Sequence, residues 1–112
     1  METYARVFPI KSKEALLELG RAVDEWSGQQ KAAFFEAFGR GRERWYYQEI
    51  DGRPYVVSVA EAERLEAGFR WYATTQDPFS AWLRERVVAL TDVDMSSKPK
   101  GPEAEFVYEL RP

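Results

Sequence analysis

The sequence contains no cysteine and no histidine, and asparagine is also missing. Without cysteine there can be no disulfide and no thiolate nucleophile. Without histidine there can be no Ser-His-Asp triad and no histidine-ligated haem. A zinc site built from cysteine and histidine is excluded for the same reason. Any catalysis would therefore have to use Asp, Glu, Lys, Arg, Tyr or Ser side chains. The alternative is a protein that binds other molecules without catalysing a reaction.

An excess of positive charge is missing too. The 112 residues carry 16 Lys and Arg against 19 Asp and Glu, which gives a formal net charge of −3 at pH 7. Nucleic-acid-binding domains usually have a basic footprint, so we expect no nucleic-acid partner. No apolar run approaches the roughly 18 residues of a membrane-spanning helix, and the N-terminus lacks the pattern of a signal peptide. We therefore expect a cytoplasmic protein with no membrane partner.

Apolar and aromatic residues are abundant. Hydrophobic residues make up 45% of the chain, and the aromatic residues are 4 Trp, 6 Tyr and 7 Phe. This composition is typical of a globular protein, and the length predicts a single domain over residues 1–112. A chain of this size buries a smaller fraction of its surface than a larger domain does, so it gains from a partner.

Hydrophobic periodicity predicts strands and helices in the order β-α-α-β-β-α-α-β. The predicted strands cover residues 3–10, 42–50, 53–60 and 104–111. The predicted helices cover residues 13–26, 29–38 and 61–73, and a fourth helix begins after Asp77, with Ser12 and Asp77 as N-caps. The residues between 91 and 103 have the composition of a loop.

The clearest local signal is a hairpin around Asp51-Gly52, a pair that suits a type I′ turn. A two-residue loop fixes the register, so Ile50 should lie opposite Arg53. Pro54 then faces Glu49 in a pair without hydrogen bonds, where its missing N–H costs nothing.

Counting each helix pair as one layer gives βαββαβ, the ferredoxin-like plan. We therefore predict an α+β fold with a four-stranded antiparallel sheet and helices on one face. Both faces of the hairpin carry apolar side chains, which is unusual for a sheet with one wet face. We expect a homodimer that packs sheet against sheet. The alternative is a monomer with exposed tyrosines.

Several motifs resemble the dimeric α+β barrel superfamily, and within it a family of small bacterial proteins of unknown function. They are Lys11-Ser12-Lys13-Glu14 after the first strand, the hairpin from Glu49 to Val57, Ala60-Glu61-Ala62-Glu63 and Asp77-Pro78-Phe79. The resemblance implies a dimer with substrates held between sheet and helices. Its relatives include cofactor-free monooxygenases, dehydratases, stress-induced dimers and haem-degrading enzymes. The haem branch usually relies on a histidine that this chain lacks, and we expect no cofactor.

Arg6 is the most unusual residue of the predicted strands, because it shares a face with Tyr4, Phe8 and Ile10. A covered guanidinium needs a partner. It could hold an anionic or enolisable ligand, or it could pair with Glu43, Glu49 or an acid of a partner chain.

Aromatic side chains offer a planar ligand both stacking area and hydrogen-bonding tips. The predicted binding residues besides Arg6 are Trp45, Tyr47, Tyr55, Trp71, Tyr72, Trp82 and Tyr108. The alternative interpretation is that these residues form only the core and the dimer seam.

Asp92, Asp94 and Glu103 have the spacing of a calcium loop. Ser97, however, stands at the sixth position, where such loops require glycine. We therefore expect no metal site.

Two classes of function remain. We favour a non-catalytic dimeric module that binds a small aromatic or apolar ligand. The alternative is a cofactor-independent enzyme of the monooxygenase or cyclase type, acting on an aromatic small molecule. In that enzyme, Arg6 or a tyrosine would stabilise negative charge. The lack of histidine, the commonest acid–base residue near pH 7, weakens the second class.

Overall fold

The computed structural model describes residues 1–91 and 104–112, and within them it has three strands and four helices. The elements are β1 (Glu2–Pro9), α1 (Lys13–Asp24), α2 (Gly28–Ala37), β2 (Arg42–Ile50), β3 (Arg53–Ala62), α3 (Leu65–Thr74) and α4 (Pro78–Thr91). The strands form one antiparallel sheet in the order β1-β3-β2, so β3 is the central strand.

The β2–β3 hairpin confirms the predicted turn and register. Ile50 pairs with Arg53, and Glu49 pairs with Pro54. Asp51 and Gly52 have φ angles of 51° and 76°, which are the positive values that a type I′ turn requires at both central residues. Local turn chemistry is therefore sufficient to set this part of the sheet.

The predicted start of the third helix was wrong. Residues 61 and 62 belong to β3, where Ala62 pairs with Glu2 across the sheet, and α3 begins only at Leu65. The Glu2 carboxylate accepts a hydrogen bond from the Leu65 amide at 2.8 Å. Because Arg64 makes no side-chain cap, this carboxylate from β1 satisfies one of the free amides at the start of the helix.

Two predicted caps are confirmed. The Ser12 hydroxyl accepts a hydrogen bond from the Ala15 amide at 3.1 Å, at the start of α1. The Asp77 carboxylate accepts bonds from the Ser80 amide at 3.1 Å and the Ser80 hydroxyl at 3.0 Å, at the start of α4. These caps fix where both helices begin.

The helices cover one face of the sheet, and the core lies between the two layers. Phe8, Val56 and Ala60 face the helices and are buried, together with Phe34 and Phe79 from α2 and α4. The other face of the sheet is not covered by any residue in the described part of the chain. On that outer face Tyr46 is 50% exposed and Ile50 is 43% exposed.

The predicted four-stranded sheet and the βαββαβ order were wrong, because the described residues contain only three strands. Residues 104–112 have no regular structure, and all of them are exposed. One backbone hydrogen bond, from the Ala104 amide to the Ala5 carbonyl at 3.2 Å, links them to β1. An alternating pattern favours a strand, but a strand forms only where a ladder of such bonds exists.

The loop was predicted over residues 91–103, but Thr91 is the last residue of α4. The rest of the predicted loop and the possible calcium loop fall on residues 92–103, outside the part of the chain that is described. Among the helices that are described, none combines the length and the apolar character needed to span a membrane.

Candidate functional site

A cavity of about 70 Å³ lies between the helix-facing side of the sheet and the four helices. Apolar side chains form most of its wall, and they include Leu16 of α1, Phe34 of α2, Phe69 of α3 and Leu83 of α4. The wall residues whose side chains carry polar groups are Tyr4, Arg6, Glu43, Trp45, Ser58, Tyr72 and Thr91. The cavity is therefore an apolar space with a small number of polar groups.

Arg6 is buried at the β1 side of this cavity and is only 4% exposed. Strand alternation puts it on the same face as Tyr4 and Phe8, as the sequence predicted, and in the structure this is the face toward the helices. Its Cζ atom lies 4.7 Å from the ring centroid of Phe69 and 4.9 Å from that of Tyr4, and Phe8 follows at 5.6 Å. Such cation–π contacts stabilise a desolvated guanidinium by roughly 2 kcal/mol or more.

Glu43 lies on β2, an edge strand of the sheet, and its side chain lines the cavity although the residue is exposed to solvent. Its Oε1 atom accepts hydrogen bonds from Trp45 Nε1 at 2.6 Å and from Ser58 Oγ at 2.8 Å. Trp45 and Ser58 are directly opposite each other in the hairpin, and alternation puts Glu43 on the same face as Trp45. The hairpin register therefore holds this carboxylate at the cavity wall.

Tyr72 projects from α3 and is 6% exposed. Burial raises the pKa of its hydroxyl well above the ordinary value, and the nearby Glu43 carboxylate raises it further. Arg84 and Arg6 act in the opposite direction on the same pKa, but more weakly. The phenol is therefore protonated at neutral pH and can donate a hydrogen bond.

Three of the predicted binding residues, namely Arg6, Trp45 and Tyr72, lie on the cavity wall. Tyr55 does not, because it pairs with Gln48 and Pro9 and faces the uncovered side of the sheet. Tyr108 belongs to the exposed C-terminal residues and is 75% exposed.

The other three predicted aromatic residues also lie away from the cavity wall. The Trp71 ring packs 5.8 Å from that of Phe34, on the margin of the core. Trp82 packs against Phe79, with ring centroids 6.0 Å apart. Tyr47 is partly exposed beside Lys13, whose Nζ atom lies 5.6 Å from its ring.

The sequence prediction did not include Glu43 and Ser58 as binding residues. The signal was present in the period of two along the hairpin, which gives both residues the face of Trp45. Glu43 was considered only as a partner for Arg6.

Together these groups give the cavity an acceptor in Glu43, a neutral donor in Tyr72 and a fixed positive charge in Arg6. Within residues 1–91 and 104–112, no three His, Cys, Asp or Glu side chains are grouped so that they could hold a metal ion.

No family model matches the chain, and no curated protein is similar to it in sequence. The resemblance to the dimeric α+β barrel superfamily therefore gains no support from these comparisons.

Proposed function

We propose that the protein is a non-catalytic module that binds a small apolar or aromatic molecule in the cavity between sheet and helices. The observation that carries the proposal is the composition of the wall, which is mostly apolar with a few convergent polar groups. Small-molecule sites in proteins typically have this composition.

The size of the cavity limits the ligand. A water molecule needs about 10–15 Å³ of such space, so a cavity of about 70 Å³ holds roughly five to seven waters. A ligand of about that many non-hydrogen atoms, such as a single small ring or a short chain, fits without a large rearrangement. Fused aromatic rings do not.

The binding test compares two valines that are neighbours on α4. Val87 lines the cavity, whereas Val88 is 36% exposed and does not. Val87→Trp should fill the cavity, and Val88→Trp is the matched control. Toluene should raise the melting temperature of the parent and of Val88→Trp, because a ligand that binds only the folded state stabilises it. Equal shifts in both variants, or none in the parent, would contradict the proposal.

A second candidate is a cofactor-independent enzyme acting on an aromatic small molecule. The observation that favours it is the placement of the Glu43 carboxylate near a neutral phenol and a buried guanidinium. Glu43 would accept a proton, while Tyr72 and Arg6 would stabilise a negatively charged oxygen. Turnover of a bound phenol, measured as oxygen uptake or product formation, should then disappear in Glu43→Gln even at phenol concentrations high enough to saturate the variant.

We also propose that two copies pair through the outer face of the sheet. Val57 lies at the centre of that face, between Val7 on β1 and Tyr46 on β2. A two-fold axis through this apolar centre would cover the same patch on both copies.

The expected dimer is weak. With strands ~4.8 Å apart and ~3.3 Å per residue, the three strands present a plane of roughly 400 Å² per copy. This is about half of the ~800 Å² that each partner buries in a standard interface. Light scattering should therefore give twice the 13.0 kDa chain mass at micromolar concentration and a lower mass on dilution. Val57→Lys should abolish the dimer and Val88→Lys should not; a parent that stays monomeric would contradict the proposal.

The proposal includes a cytoplasmic location, on the sequence grounds given above. Fractionation of cells producing the untagged chain should recover it with the cytoplasmic proteins, and recovery with membranes or the medium would contradict this.

A further inference from the structure

The two carboxylate oxygens of Glu43 have different surroundings. Both hydrogen bonds from Trp45 and Ser58 go to Oε1. Oε2 makes no hydrogen bond to any residue in 1–91 or 104–112. The hairpin therefore fixes the carboxylate at the cavity wall through one oxygen and leaves the other as an acceptor.

The Tyr72 hydroxyl complements this acceptor. It is also on the cavity wall, and no hydrogen bond joins it to another residue of the described part of the chain. Since the phenol is protonated at neutral pH, it can donate one hydrogen bond and accept another. Both Glu43 and Arg6 are close enough to Tyr72 to influence its titration, so the hydroxyl lies within the field of both charges.

The charges on the wall disfavour a charged ligand. An anion that approaches Arg6 also meets the Glu43 carboxylate, and a cation that approaches Glu43 also meets Arg6. Burying either ion in a mostly apolar space is costly unless it is fully paired. A neutral molecule with one polar group avoids both penalties.

We propose that the cavity takes a small uncharged hydroxyl compound, a phenol or an alcohol, whose O–H donates to Glu43 Oε2 and whose oxygen accepts from the Tyr72 hydroxyl. This inference rests on the proposed binding function and specifies the chemistry of the ligand. The apolar body of the ligand lies against the leucine and phenylalanine side chains of the helices.

Phenol and toluene are the probes that isolate the hydroxyl, because they have the same shape and differ only in O–H against CH₃. Hydrogen bonds to a charged group favour binding by about 1.5–3 kcal/mol, which corresponds to roughly 10- to 100-fold in affinity. In calorimetric titrations of the full chain at neutral pH, phenol should therefore bind at least about tenfold tighter than toluene.

Glu43→Gln tests the acceptor, because the amide keeps the length of the side chain but removes the charge. This variant should lose most of the preference for phenol and retain its affinity for toluene. Glu49→Gln is the matched control, since Glu49 lies on the same strand and the same face but not on the cavity wall. Tyr72→Phe should reduce phenol binding as well, without weakening toluene.

The results separate this inference from the proposed function. Toluene that binds as tightly as phenol would overturn the hydroxyl assignment and leave the binding module intact. Benzoate that binds more tightly than phenol would also overturn it, in favour of an anionic ligand. If neither toluene nor phenol binds the parent, the proposed function itself fails.

Discussion

Replacement of Phe34 by alanine should destabilise the fold more than any neighbouring substitution in α2. Phe34 is 5% exposed. Its ring centroid lies between 5.0 and 5.8 Å from those of five aromatic residues, namely Phe35, Phe38, Trp71, Tyr72 and Phe79. Truncating a buried phenylalanine costs about 3–5 kcal/mol, and each aromatic pair adds roughly 0.5–1.5 kcal/mol beyond area burial. We expect Phe34→Ala to reach the upper end of the range, a large part of a typical stability of about 5–15 kcal/mol.

The adjacent Phe35 is the natural control. It is partly buried, and Phe34 is the one aromatic ring it contacts in the described part of the chain. Phe35→Ala should therefore cost about half as much or less. Urea denaturation followed by circular dichroism gives both free energies of unfolding. If Phe34→Ala does not fold, Phe34→Leu should still lower the free energy of unfolding more than the matching change at Phe35, although the difference should be smaller.

Phe34 also lines the cavity, so its truncation enlarges a space that already exists. An enlarged apolar cavity stays dry and accepts small aromatic molecules. Toluene should therefore restore more stability to Phe34→Ala than to Phe35→Ala. Equal losses of stability in the two variants, with equal responses to toluene, would refute the placement of Phe34 at the centre of the core and at the cavity.

The remaining predictions concern two glycines and Tyr72. Gly20→Ala in α1 has open space around the new Cβ and should raise the free energy of unfolding by about 0.5–1 kcal/mol. Gly68→Ala in α3 should lower the free energy of unfolding, because the new Cβ would overlap the Phe38 carbonyl. Thermal denaturation in which Gly68→Ala was more stable than Gly20→Ala would contradict this. Because burial raises the pKa of Tyr72 above the 10.0 of a free tyrosine, its contribution to stability is complete below about pH 10 and is lost above it. Tyr72→Phe should flatten this alkaline decline in urea titrations relative to Tyr46→Phe, and an unchanged slope would contradict it.

Most of the elements could be predicted because their signals are local. The Asp51-Gly52 turn and the Ser12 and Asp77 caps depend on a few adjacent residues, and all three are confirmed. The end of β3 could not be predicted in this way. Residues 60–63 read as the start of a helix, but pairing of Ala62 with Glu2 keeps the chain extended. A contact between residues sixty positions apart leaves no local signal.

The predicted fourth strand shows the same limit. Phe106, Tyr108 and Leu110 alternate with polar or smaller residues, yet their exposed fractions are between 75% and 84%. Alternation of apolar and polar residues indicates that a segment can pack against a sheet. Only backbone pairing with another strand makes the segment a strand.

The candidate site was predictable in part. Arg6 was identifiable as a charged residue on an apolar face, and its burial among three rings agrees with that reading. Glu43 was missed as a binding residue because a glutamate on an edge strand usually belongs only to the solvated surface, and Glu43 is indeed exposed as well as lining the cavity. Its place at the cavity depends on hydrogen bonds to Trp45 and Ser58, which only the folded hairpin brings together.

The most direct test of a binding cavity between sheet and helices is a methyl-resolved NMR titration of the full chain with toluene. Shift changes and intermolecular nuclear Overhauser effects should appear at Leu16, Leu83 and Val87, which line the cavity. The methyl groups of Val57 and Val59, on the outer face of the sheet, should remain unchanged. Effects confined to the outer-face valines, or no effects at saturating toluene, would contradict a ligand site between the two layers.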